Sequence, residues 1–259
     1  MTRTFPPGVP ELGAYIVSQG GAYLHNVVRG LDNVCQVCSL PVSGGELCWQ
    51  CRSHRDAGLL LADQVASITY APFGPGTWNT QAHNVVRGYK GERPGPGVVE
   101  MMENLLRLGL RAHSVCAVKL VNARSRAWAV VPSTSLRRGI KLPELVRSLA
   151  RSINEEVVVT SADESAGRQL NPDRWSIPEW SEGVPDHVLV IDDSWATGAH
   201  AQSLAALLKR SGVAKVSILT VARLLSPAWS ENAAFEREHL RGSTFDWRLC
   251  PWTGGNCPD

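Results

Sequence analysis

A chain of 259 residues has room for one large domain and a small module. Its hydrophobic content of 44% suits a globular core, and 26 basic against 24 acidic residues leave a net charge of +2, which gives no push toward nucleic acid. No run of about 18 apolar residues occurs, which excludes a spanning helix and a membrane partner.

The first 30 residues are rich in proline and glycine and carry only a faint helical pattern from Tyr15 to Val28, so they are expected as a partly disordered extension. The N-terminal run MTRTFPPGVPELGAYIV lacks the apolar core of a signal peptide, and seven cysteines cannot all pair internally; both point to a reducing, cytoplasmic compartment. The hexapeptide HNVVRG occurs at His25–Gly30 and again at His83–Gly88, but no longer self-similarity accompanies it and no structural repeat follows.

Cys35-x-x-Cys38 and Cys48-x-x-Cys51 are separated by nine residues that include Gly44-Gly45. Each pair forms a knuckle with both sulfurs aimed at one ion, and four thiolates satisfy tetrahedral Zn²⁺ with no open position, so the site is expected to be structural. His54 is an alternative ligand, and a redox pair or free thiols are the other readings. A module spanning residues 31–56 buries too little to fold alone, so metal binding and folding are expected to be coupled.

Residues 63–225 read as an α/β domain. Strands are expected at Val65–Tyr70, Trp128–Val131, Val157–Thr160, Val188–Ile191 and Lys215–Leu225, and helices at Val98–Leu110, Leu142–Ile153 and after Gly198. Asn79–Lys90 reads as a polar helix or loop ending in Tyr89-Lys90-Gly91. Alternating strands and helices predict a parallel sheet flanked by helices. The strand end VVPSTSLRRG offers the hydroxyls of Ser133 and Thr134 and the guanidinium groups of Arg137 and Arg138, which suit a pyrophosphate as well as a plain solvated loop. Arg168–Arg174 reads as a polar flap or a surface loop. The tail, residues 226–259, carries a short helix around Ala233–Leu240 and then Cys250 and Cys257, whose six-residue spacing hints at a second metal site.

The stretch that organises the chain is HVLVIDDSWATGAHAQSLAALLKRSG, His187–Gly212. A buried strand ends in Asp192 and Asp193, a loop of mostly small residues follows, and a helix begins with Leu204, Leu207 and Leu208 on one face. Loop amides and the helix dipole can hold a phosphate while the carboxylates accept hydrogen bonds from vicinal hydroxyls. A Walker B strand also ends in acids, but no G-x-x-x-x-G-K-[ST] loop occurs.

These residues resemble the phosphoribosyl-pyrophosphate (PRPP) signature of type I phosphoribosyltransferases. The resemblance implies that Asp192 and Asp193 hold the ribose hydroxyls and that Ala196, Thr197, Gly198, Ala199 and His200 wrap the 5-phosphate. Ala196 and His200 stand where that family often has threonine, so one hydroxyl donor is missing unless the His200 imidazole replaces it. With the two Cys-x-x-Cys pairs ahead of them, and with Tyr89-Lys90-Gly91, VVPSTSLRRG and the Arg168–Arg174 segment in between, the motifs resemble the ComF-like (competence-associated) phosphoribosyltransferases from about Val34 to Leu225. That resemblance implies a type I phosphoribosyltransferase fold with an N-terminal zinc module, a Mg²⁺–PRPP ligand, and transfer of the phosphoribosyl group to an acceptor or hydrolysis of PRPP, with Arg137 and Arg138 at the departing pyrophosphate. The alternative is a non-catalytic module that senses PRPP or a nucleotide, or an accessory of DNA uptake. Pyrophosphate release separates the two.

Overall fold

His187–Trp195 is an inner strand of the sheet, and its side chains from Val188 to Ile191 alternate between two apolar cores. In the computed structural model, which describes residues 4–259 apart from 75–80, 125–126, 134–138, 151–154, 163–166, 168 and 182, it is flanked by strands on both edges. The elements in chain order begin with α1 (Val9–Gly20), α2 (Trp49–Asp56), β1 (Gln64–Pro72), α3 (Gln81–Gly88) and α4 (Pro96–Leu108). A π-helical turn, Gly109–His113, joins α4 to α5 (Ser114–Leu120), followed by β2 (Ala127–Val130) and α6 (Leu142–Leu149). Two short strands, β3 (Thr160–Ser161) and β4 (Trp175–Ser176), precede β5 (His187–Trp195), α7 (Ala199–Arg210), β6 (Lys215–Leu225) and α8 (Ser230–Phe235).

The sheet has the order β1-β6-β5-β2 and is parallel throughout, with Val190 level with Ile218 on one side and Ala129 on the other. β3 and β4 form a separate antiparallel pair. The expected parallel sheet flanked by helices is therefore present. Val188 and Val190 belong to the core that includes Leu204 and Leu208 of α7, whereas Leu189 and Ile191 belong to the opposite core with Met102, Leu105 and Leu106 of α4. Each such side chain removed from water stabilises the fold by about 1.5–3 kcal/mol, which fixes the register of β5 and hence where its acidic end emerges.

The ends of the chain differ from expectation. The stretch read as a partly disordered extension carries α1, which packs on α4 with Val9 and Ile16 fully buried. Pro10 falls in the first turn, where proline costs nothing, and Gly13 makes room for Trp247: a Cβ there would lie 2.2 Å from the indole. Within the tail, Phe245, Cys250 and Trp252 enter the α4-side core. The third expected strand is shorter and shifted: Glu155–Val157 bonds alongside Trp128, and only Thr160–Ser161 is a strand, paired with Trp175–Ser176.

Candidate functional site

β5 delivers Asp192 and Asp193 to the C-terminal edge of the sheet, where parallel sheets place their ligands. Between the strand and α7 the backbone turns at Gly198, which has φ 80° and caps the helix with no side-chain hydrogen bond. First-turn amides of α7 thus face outward beside the acids, an arrangement that suits an anion. The indole of Trp195 lies fully buried beneath this turn, and its N–H has no hydrogen-bond partner among the described residues. Thr197 Oγ1 accepts weakly from the Ala199 amide at 3.4 Å. Ala196 is exposed, and Ala199 is buried at the start of the helix. His200 is engaged elsewhere than at the turn: its Nε2 donates to the Gly167 carbonyl at 3.2 Å and its ring meets Trp175 edge-on at 5.8 Å.

The two acids are not equivalent. Asp193 is only 3% exposed and its carboxylate is saturated from three sides. Oδ2 accepts from the Tyr89 hydroxyl at 2.8 Å and pairs with Lys90, while Oδ1 accepts from the Ser194 hydroxyl at 2.8 Å. Asp192 is partly exposed and accepts from the Asp193 amide at 2.8 Å. Burial first, and the neighbouring Asp193 charge second, raise the Asp192 carboxyl to about 8, with Lys90 opposing. Burial followed by the charge of Asp193 likewise pushes the Tyr89 hydroxyl up, so it stays a donor. Tyr89 and Lys90 reach Asp193 because α3 buries Ala82, Val85 and Val86 and presents its C-terminal end to the strand edge.

Gly139 packs against the backbone of Lys90 and Gly91. A Cβ on it would lie 2.3 Å from the carbonyl oxygens of both Lys90 and Gly91, so backbone meets backbone and only glycine fits. Gly139 thus lies beside the segment that carries Lys90. Ser133 is partly buried at the start of this loop, whereas Thr134, Arg137 and Arg138 lie outside the described residues. The expected flap is pinned where it is described: Asn171 donates its amide to Ser203 of α7 at 2.8 Å, and Arg174 is buried against Trp175. Arg168 lies outside the described residues.

One cation was missed by the sequence reading. Arg223 looks like an ordinary residue of β6, but it is buried and its Nη1 donates to the carbonyls of Trp195 at 2.8 Å and Ala196 at 3.2 Å. It holds the backbone entering the Gly198 turn and adds positive charge behind it. Neither its position in an apolar strand nor any motif marks it.

Cys35, Cys38, Cys48 and Cys51 converge on one point, all buried, with every pair of sulfurs within 4.8 Å. Cys38 and Cys48 sulfurs are 3.7 Å apart, against about 3.7–3.8 Å for two thiolates on a tetrahedral ion at about 2.3 Å. Crowding splits the thiols: hydrogen bonds from Cys38, Cys48 and Cys51 pull Cys35 down, while bonding to Cys35 pushes Cys48 and Cys51 up. Four buried sulfurs converging at this spacing could hold a metal ion. The knuckle is tied to the sheet by Tyr70 of β1, whose hydroxyl donates to the Ser39 carbonyl at 2.7 Å.

Neither a family model nor a curated protein matches the chain. Among solved structures it is similar to adenine phosphoribosyltransferase from Leishmania donovani, with 22% identity over 56% of this chain and 59% of that one and a TM-score of 0.32. Adenine phosphoribosyltransferase from Leishmania tarentolae gives 21% identity over 53% of this chain and 76% of that one, with a TM-score of 0.32. A hypoxanthine phosphoribosyltransferase from Staphylococcus aureus gives 16% identity, 57% and 73% coverage and a TM-score of 0.30. These likenesses assign no role to any residue; the roles below rest on the geometry of the strand end.

Proposed function

We propose that the chain binds PRPP with Mg²⁺ and transfers its phosphoribosyl group to an acceptor. The observation that carries this reading is the acidic end of β5 running through the left-handed turn at Gly198 into the uncapped N-terminus of α7. Amides of the turn and first helical turn would take the 5-phosphate, with the orphaned Trp195 indole N–H and buried Arg223 adding positive potential beneath. Asp192 would accept from the ribose hydroxyls, and Asp193, already saturated, would hold Tyr89, Lys90 and Ser194 in place around it. Of the two carboxylates named in the signature, Asp192 is thus the ligand and Asp193 the positioning residue. Ser133, Thr134, Arg137 and Arg138 would bind the pyrophosphate.

Departure of pyrophosphate leaves an oxocarbenium-like ribose, and catalysis comes from placing positive charge at the leaving group and negative charge beside the ring. Mg²⁺ would neutralise the pyrophosphate oxygens through substrate and water more than through protein. The four-cysteine module takes zinc in this reading and acts structurally, because its donors are all sulfur, buried and complete. The order of module, Tyr89-Lys90-Gly91, VVPSTSLRRG and IDDSWATGAH supports kinship with the ComF-like phosphoribosyltransferases, and seven cysteines, none of them in a disulfide, suit a reducing cytoplasm.

The test is purified protein with PRPP, Mg²⁺ and a panel of nucleobases, following pyrophosphate. Release that depends on one base is the expected result, and release without any base assigns hydrolysis. Tight PRPP binding with no pyrophosphate at all gives the site to a sensor, and no PRPP binding removes the reading.

A further inference from the structure

We propose that His113, Cys116, Cys250 and Cys257 form a second metal site, tetrahedral and structural, that takes zinc and fastens the C-terminal tail to the α5 end of the helical layer. Their ligand atoms all lie within 4.8 Å of one another, and three of the four residues are buried. His113 Nδ1 and Cys257 Sγ are 3.6 Å apart. A tetrahedral ion with bonds of about 2.1 Å to nitrogen and about 2.3 Å to sulfur sets that separation at about 3.6 Å.

The imidazole is prepared for this role. Its Nε2 lies 3.2 Å from the Trp247 carbonyl, which can only accept, so the proton sits on Nε2 and the Nδ1 lone pair points at the thiols. A histidine ligand whose other nitrogen donates to a backbone carbonyl is the usual outer-shell arrangement of metal sites. His113 closes the π-helical turn and Cys116 follows three residues later on the same face of α5, so two ligands come from one helical surface.

The other two come from a turn built to present them. The Cys250 amide donates to Gly255 O and the Gly254 amide to Cys250 O, both at 2.8 Å, which folds Cys250–Cys257 back on itself. Trp252 then donates its indole N–H to the His113 carbonyl at 2.9 Å and locks the turn onto the helix. Three sulfurs and one nitrogen, mostly buried, match closed structural zinc, and a disulfide would use only two of the three thiols and leave the imidazole unused. The site also accounts for the odd cysteine count: four thiols in the first cluster and three in the second include all seven. The two clusters lie in opposite cores, the first on the α7 side of the sheet and Cys116 and Cys250 on the α4 side.

Metal analysis of the full chain, purified without added metal, tests this. Two zinc ions per chain are expected, falling to one in Cys116→Ala and to one in the Cys35→Ser, Cys38→Ser double variant. Cobalt added to that double variant should show charge-transfer bands of three sulfur ligands. If the double variant fails to fold, the wild-type ratio and Cys116→Ala still decide. A wild type whose zinc content is unchanged by Cys116→Ala overturns the site, as does peptide mapping that finds Cys250 and Cys257 joined as a disulfide in the native protein.

Discussion

The benzo ring of Trp195 lies directly under Gly198, so close that a Cβ added to the glycine would sit 2.1 Å from Cζ2. The same residue has φ 80°, a conformation L side chains rarely adopt. Loop shape is thus fixed twice, by backbone sign and by the ring that floors it. Gly198→Ala should cost about 1–3 kcal/mol of stability, read as a lower melting midpoint, and should reduce ribose 5-phosphate affinity by at least tenfold. A variant that melts and binds like wild type would mean that the turn is not the phosphate seat.

The two acids should part company on mutation. Asp193→Asn leaves Lys90 without its ion-pair partner and weakens the bonds from Tyr89 and Ser194, a loss of about 1.5–3 kcal/mol in the apo protein. Asp192→Asn removes repulsion and keeps shape, so apo stability should hold or rise while PRPP affinity falls roughly ten- to a hundredfold. Thermal melts with and without Mg²⁺–PRPP separate the two; identical behaviour would contradict the division of roles.

Asp192 also sets a pH dependence. Its carboxyl is raised to about 8 in the folded chain, against about 3.9 unfolded, so between those values the folded state holds the extra proton. Stability from this group is therefore complete below about pH 4, falls as pH rises through the window, and levels off above about 8. Asp192→Asn escapes the loss. Its melting midpoint should match wild type near pH 4 and lie above it at pH 8. PRPP binding, which needs the ionised form, should strengthen from pH 6 to 8 with release of a proton, measurable by calorimetry in buffers of different ionisation enthalpy.

Arg137→Ala with Arg138→Ala should weaken PRPP and pyrophosphate binding far more than ribose 5-phosphate binding, since only the former carry the pyrophosphate group. A loss of roughly tenfold or more confined to those two ligands is expected from titration. Equal losses for all three would take the pyrophosphate away from this loop.

Cys48→Ser should release the first metal ion and loosen residues 31–56 while leaving the β5–β6 pairing intact. Hydrogen exchange should show faster amides around Ser39 and at Tyr70, which the knuckle holds through a 2.7 Å hydrogen bond, and unchanged protection at Val190 and Ile218. Uniform loss of protection would make the module part of the sheet's own core.

What could be read from sequence was local. The β5–loop–α7 unit is continuous from His187 to Arg210, so periodicity, paired acids and a glycine all fall within one window. Likewise the four cysteines of the knuckle span only residues 35–51, and their spacing alone predicts convergence. The rest depends on contacts between distant residues. Tyr89 meets Asp193 across 104 positions and His113 meets Cys257 across 144, with nothing in either neighbourhood to announce the other. Arg223 hid in an apolar strand, and α1 hid behind a proline and glycine content that tertiary packing, Trp247 on Gly13 above all, makes harmless.

Among the described strands of the sheet β1 neighbours β6, Gln64 with Ser217 through Pro72 with Leu225. On a ribosome adding about 5–20 residues per second, β1 therefore waits roughly 7–30 s for its partner to be made, because residues 73–214 must come first. During that interval the emerging chain displays an apolar strand with an open edge, the kind of surface that recruits other chains. The first strand synthesised is thus completed by the last strand of the sheet, and fragments that stop before Lys215 should be insoluble however complete their β5–α7 turn.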